Sequence, residues 1–147
     1  MTALLAVIGL QADGASVREP VLVLASNHEL VALLPLNSLS RRGEIADASL
    51  VLVYGTPEDP WELAREEHAV QVDCNGRKIR FTKTVKYDGR NRVTGEKTVP
   101  SDWEPVGSYP PFSRLAAAAC DGERASFEEF DGFQLAIGRA RESLDRK

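Results

Sequence analysis

Val70-Gln71-Val72-Asp73-Cys74-Asn75-Gly76-Arg77-Lys78-Ile79-Arg80-Phe81-Thr82-Lys83-Thr84-Val85-Lys86-Tyr87 decides the fold. Val70, Val72 and Cys74 alternate with Gln71 and Asp73. Asn75-Gly76 is the preferred two-residue hairpin turn, because both central positions need positive φ. Beyond it Ile79, Phe81, Val85 and Tyr87 share one face, with Lys83 as its single break, and Lys78, Arg80, Thr82, Thr84 and Lys86 share the other. Such period-two alternation marks antiparallel strands with one wetted face. Asp88 to Asn91 makes the next turn, and Arg92 to Val99 runs back as a further strand, so three consecutive strands form a meander.

Working outward toward the start, Val21 to Ala25 and Leu30 to Leu34 are apolar runs joined by the turn Ser26 to Glu29, a hairpin signal. Pro35 ends the second run, Asn37 to Glu44 reads as a polar loop, and Ser49 to Tyr54 as a strand. After the breaker segment Gly55 to Pro60, residues Pro60 to Glu67 predict a helical turn, with Asp59 as N-cap and Pro60 in first helical position. Toward the end, Pro100 to Pro111 is irregular, and Ser113 to Cys120 is a short helix closed by Gly122. Phe127, Phe130, Phe133, Ile137, Ala140 and Leu144 fall at helical spacing, which predicts an amphipathic tail helix weakened by Gly132 and Gly138. Strands precede helices, so the expected class is α+β, with a six-stranded antiparallel sheet.

The 147 residues suit one domain, and 43% hydrophobic with 27% charged residues is ordinary globular usage. A net charge of -4 argues against general nucleic-acid binding. No apolar run is long enough to span a bilayer as a helix, so no integral membrane protein is expected. The apolar stretch Thr2 to Leu10 fits either the core of a truncated signal within residues 1–15 or a buried strand. Cys74 and Cys120 are either two unrelated buried thiols or a bridge. Neither has a second Cys or His at ligand spacing, so no metal and no cofactor are expected.

Asn37 to Glu44, Val53-Tyr54, Val72 to Arg80, Tyr87-Asp88, Trp103 to Val106 and Ala119 to Asp121, taken in that order, resemble the surface-adhesin protein E-like domain of bacterial envelope proteins. The resemblance covers residues 20–121, and the tail 122–147 lies outside it. It implies a sheet packed on a helix, a location in the periplasm, at the cell surface or outside the cell, a Cys74–Cys120 disulfide tying sheet to helix, and adhesion to an extracellular-matrix or envelope component. The turn after Tyr87-Asp88 carries Asn91 where that family has Gly, a mild departure because Asn tolerates the left-handed conformation.

Residues Arg77 to Lys97 hold eight basic and two acidic side chains. Lys78, Arg80 and Lys86 on the polar strand face are the candidate site for a polyanion or acidic partner. The same lysines would also keep a wet face soluble and block edge pairing. Phe81, Tyr87 and Trp103 read as core, while Phe127, Phe130 and Phe133 either cover the sheet or form a homodimer stripe. Gly89 to Thr98 lacks the spacing and the following helix of a phosphate loop. His28 and His68 read as solvated histidines, and no Gly-x-Ser-x-Gly elbow is present. The expected function is thus a non-catalytic binding module, the alternative being a small ligand held between sheet and helix. A clustered trio of polar side chains with perturbed titration would instead mark an enzyme.

Overall fold

The computed structural model describes residues 18–146, so the segment 1–15 lies outside the described residues. In chain order the elements are β1 (Pro20–Ser26), β2 (Leu30–Pro35), a short 3-10 turn (Leu36–Ser38), β3 (Ser40–Arg42), β4 (Ile45–Tyr54), β5 (Leu63–Asp73), β6 (Lys78–Asp88), β7 (Val93–Lys97), β8 (Glu104–Pro105), α1 (Pro110–Asp121), β9 (Glu128–Asp131) and α2 (Phe133–Asp145). They build one antiparallel sheet in the order β7-β6-β5-β4-β2-β1-β9, with β3 beside β4 and β8 beside β6. The α+β class and the meander hold. The sheet has nine strands where the sequence predicts six. The additions, β3, β8 and β9, are short and mostly exposed, so they carry no burial period to read.

The β1–β2 hairpin turns on Asn27, whose Oδ1 accepts the N–H groups of Glu29 and Leu30 at 2.7 and 2.9 Å. The helical turn expected over Pro60 to Glu67 does not form. A single turn, closed by the Glu62 N–H on the Asp59 carbonyl at 3.0 Å, leads directly into β5. From Leu63 onward β5 pairs with β6, and from Arg65 with β4, which overrides local propensity. The β5–β6 connection also differs from expectation. Asp73 stands opposite Lys78, so four residues form the loop, and Asp73 Oδ1 accepts the N–H groups of Asn75 and Gly76, each at 3.1 Å. Arg77, at φ 50°, takes the left-handed position in place of Asn75 or Gly76.

A β-bulge rewrites the alternation of β6. Val70 faces Phe81, but Ala69 faces Lys83, leaving Thr82 as the extra residue. Ile79 and Phe81 therefore share the α1 side of the sheet, while Lys83, Val85 and Tyr87 lie on the α2 side. Lys83 looked like a break because the period slips there by one.

Each face has its own core. Under α1, Leu22, Leu24, Ala32, Leu34, Leu50, Val70, Val72 and Ile79 pack with Leu115, Ala116, Ala118 and Ala119. Under α2, Val21, Val31, Leu33, Val51 and Val53 pack with Ala136, Ile137, Ala140 and Leu144. Cys74 and Cys120 form a disulfide with Cα atoms 5.4 Å apart, joining α1 to the β5–β6 hairpin. Gly122, at φ 67°, supplies the left-handed C-cap of α1.

The predicted tail helix is split. Gly132, at φ 122°, separates β9, which pairs with β1 from Pro20↔Asp131 to Val23↔Glu128, from α2. Phe127 packs against the α1-side core, and Phe130 and Phe133 against the α2-side core. Trp103 is half-buried beneath the Arg80 guanidinium and takes no place in either core cluster.

Candidate functional site

The bulge at Thr82 decides the fate of the basic strand face. Arg80 Nε donates to Gln71 Oε1 at 2.8 Å, and its guanidinium carbon lies 4.6 Å from the Trp103 ring centroid. Gln71 in turn donates to Asp47 Oδ1 at 3.0 Å, so Arg80 is committed to a ladder across the sheet. Lys78 faces Asp73, on the same side as that ladder. Lys86 pairs with Glu66 and with Gly95, beyond the bulge and on the α1 side. The structure thus does not bring Lys78, Arg80 and Lys86 onto one face.

On the α2 side, the helix covers β9, β1, β2 and part of β4, and the sheet continues past it. The uncovered portion is a groove of about 560 Å³. Val51, Ala69 and Val85 line it, as do Pro20 and, from the start of α2, Phe133. Polar groups gather beside this apolar surface. Arg65, 7% exposed, lies with its guanidinium carbon 4.0 Å from the Tyr87 ring centroid. Its Nη1 donates to Asn91 Oδ1 at 2.7 Å, and its Nε is 3.4 Å from Glu67 Oε1. Asn91 sits at φ 62°, so the residue that replaces the expected Gly adopts the left-handed conformation and holds a buried guanidinium as well. Burial pushes the Tyr87 phenol up, and its hydrogen bond to Glu67 adds to this, while Arg65 opposes it. Lys83 reaches Glu96 at 3.1 Å.

A second polar centre stands on the α1 side. His68 is 9% exposed, not solvated as its sequence context suggests. Its Nδ1 lies 2.8 Å from Thr84 Oγ1, and its Nε2 lies 2.9 Å from Glu66 Oε2. The hydrogen bond from His68 holds the Glu66 carboxyl below its ordinary range against the effect of burial, and the electrostatic influence of His68 and Lys86 assists. The Tyr54 phenol is pushed up to about 12 by burial, then by Glu66 and Tyr109. Phe81 meets the His68 ring edge-on at 5.0 Å, and Phe112 and Tyr109 extend the aromatic wall. A signal for this centre was present. Glu66 and His68 are two apart on a strand and so share a face, whereas the neighbouring Glu67 points away. His28, by contrast, is exposed in the first hairpin turn, 3.5 Å from Glu29.

Among the described residues no group of three or more His, Cys, Asp or Glu side chains is placed to hold a metal ion. No helix among them is long and apolar enough to cross a membrane. No protein-family model, curated protein or solved structure matches the chain.

Proposed function

We propose that this chain is a binding domain that works outside the reducing cytoplasm, and that its ligand lies in the groove between the sheet and α2. The groove carries the reading. It is an apolar depression beside a helix, with a few polar groups gathered at its side, which is the usual make-up of a small-molecule site. An amphipathic ligand fits this chemistry, its apolar body on Val51, Val85 and Phe133 and its polar end toward Glu67, Tyr87 and Lys83. The Cys74–Cys120 disulfide supports an oxidising compartment, the periplasm, the cell surface or the medium, since such bonds are rare where thiols are kept reduced. Adhesion to an extracellular polymer or protein is the wider role that the protein E-like resemblance supports. A polyanion-binding strand face is not favoured, because Arg80 is engaged and Lys86 lies across the sheet from Lys78.

Native mass spectrometry of protein exported by its own host tests this. The expected result is a co-purified small molecule that is absent from an Ala69→Trp variant, whose indole fills the groove floor, with the unfolding midpoint of that variant preserved. Equal ligand retention by both proteins, or no ligand in either, would overturn the reading. The same spectrum reports the loss of two hydrogens that the bridge requires.

A further inference from the structure

We infer that Thr84 is a base-activated hydroxyl that takes the acyl group of esters built from an apolar acid and an anionic alcohol, at a site on the α1 face separate from the α2-side groove. An ionised Glu66 can only accept hydrogen bonds, so at 2.9 Å it takes the N–H of His68 Nε2. When the imidazole gives up its other proton, its lone pair lies on Nδ1, 2.8 Å from Thr84 Oγ1, which is then the donor of that hydrogen bond. In that form the hydroxyl hydrogen is directed at a base and the oxygen lone pairs are left to attack. Nucleophile, base and orienting carboxylate stand in hydrogen-bonded sequence, the arrangement that activates a hydroxyl in covalent catalysis.

Merely satisfying buried polar atoms would require no opening, yet two depressions meet at this row. One, of about 220 Å³, is walled by Phe81, Val99 and Ser101. The other, of about 570 Å³, is walled by Lys86, Thr94 and Gly95. The residues common to both include His68, Thr84 and Lys97. His68 pairs with Thr84 across β5–β6, and Thr84 pairs with Lys97 across β6–β7, so base, nucleophile and cation form one cross-strand row. Lys83 is bound to Glu96, whereas Lys86, whose charge acts on Glu66 from farther away, and Lys97 have no carboxylate oxygen within 4.0 Å among the described residues. The smaller groove suits an apolar acyl chain; the larger is lined by Lys86 and Lys97 and by Glu66 and Glu96, and since those carboxylates are engaged by His68 and Lys83, its lysines suit an alcohol bearing a carboxylate or phosphate. Lys97, opposite Thr84 on β7 and lining both grooves, is the cation available to meet charge that develops on the carbonyl oxygen.

The reaction balances as hydrolysis. Thr84 Oγ1 bonds to the ester carbonyl carbon as its proton passes to His68 Nδ1. The bond to the alcohol oxygen breaks, and the alcohol departs with that proton. Water, deprotonated by His68, then cleaves the acyl-Thr84 ester, which releases the acid and restores the hydroxyl. Glu66 is a positioning residue that acts through His68.

The test uses the oxidised full chain and 4-butyryloxy-3-nitrobenzoate, a chromogenic ester with an apolar acyl group and an anionic alcohol. Release of the nitrophenolate is expected, with a butyryl adduct mapped to Thr84. Thr84→Val, which keeps the side-chain shape, should abolish both, and Thr84→Ser should retain them. His68→Gln should slow acylation by at least about a hundredfold, the lower range of general-base effects. Glu66→Gln should lower kcat with KM kept, which a purely structural role would not do. Absence of any adduct on the unmodified chain, adducts on lysines alone, or equal release by Thr84→Val would overturn the inference. Adduct mapping on the unmodified chain decides even where a variant fails to fold. Loss of ligand from the α2-side groove leaves this test untouched.

Discussion

The two faces of the sheet solve the same covering problem differently. On one side α1 lies over β1, β4 and β5 and is fastened to the hairpin by Cys74–Cys120. On the other side α2 is held by side-chain packing and by its C-terminal end, where Asp145 accepts the N–H and hydroxyl of Thr56 at 2.9 and 2.6 Å. The α1-side core is the larger and runs from Leu22 to Ile79, while the α2-side core ends near Val51 and Val53. The sheet outruns α2 over β5 and β6, and outruns α1 at the Glu66–His68 end of β5 and past the Thr82 bulge of β6, and there each face turns polar. Chemistry collects where cover stops: Glu67, Tyr87 and Arg65 on one side, Glu66, His68 and Thr84 on the other.

The sharpest way to break this contrast is to remove the fastening. Replacing Cys74 and Cys120 with serine opens a loop of sequence separation 46 and should cost about 4 kcal/mol in the chain-entropy treatment, read by guanidinium unfolding. A loss near zero would mean that packing alone holds α1. Next, Leu115→Ala under α1 should cost about 3 to 4 kcal/mol and Ile137→Ala under α2 about 2 to 3. Equal costs would erase the ranking of the two cores. Acid should then weaken both faces. Glu66 and Asp145 have depressed folded values, so the stability each contributes is complete above the ordinary carboxylate range, about 4. It is lost as pH falls through the lower folded values. The acid-unfolding curve should flatten more for Glu66→Gln than for Asp145→Asn, because Glu66 is the less exposed of the two. The smallest effect belongs to Asn91→Gly. Relief of the left-handed residue offsets most of the lost hydrogen bond to Arg65, which leaves a destabilisation of about 1 kcal/mol in thermal melts.

Much of this architecture is readable from residue order, and the misreadings have physical causes. Val70 to Tyr87 announces two paired strands, because long half-buried strands carry a period. The bulge escapes notice, since Thr82 suits either face of a strand and only its pairing partners reveal the slip. β3, β8 and β9 bury too little to leave a pattern. Phe127 to Leu144 has a helical period by coincidence of two elements, and the backbone at Gly132 decides otherwise. For the sites, the Glu66 and His68 spacing escapes notice because Pro60 to Glu67 reads as a helical turn and His68 as solvated, and Thr84 joins them only through register. The α2-side groove draws on β1, β4, β5, β6 and α2, whose side chains meet only in the finished fold.

The pairing of β1 with β9 sets a schedule as well as a shape. Glu19 N–H meets Asp131 Oδ1 across 112 positions of chain, so β1, the first of the described strands, gains its second neighbour only after α1 has been made. Until β9 arrives, one flank of β1 offers unpaired amides and carbonyls to any passing strand. Shortening the chain after Gly122 should therefore yield a product that clumps when overproduced.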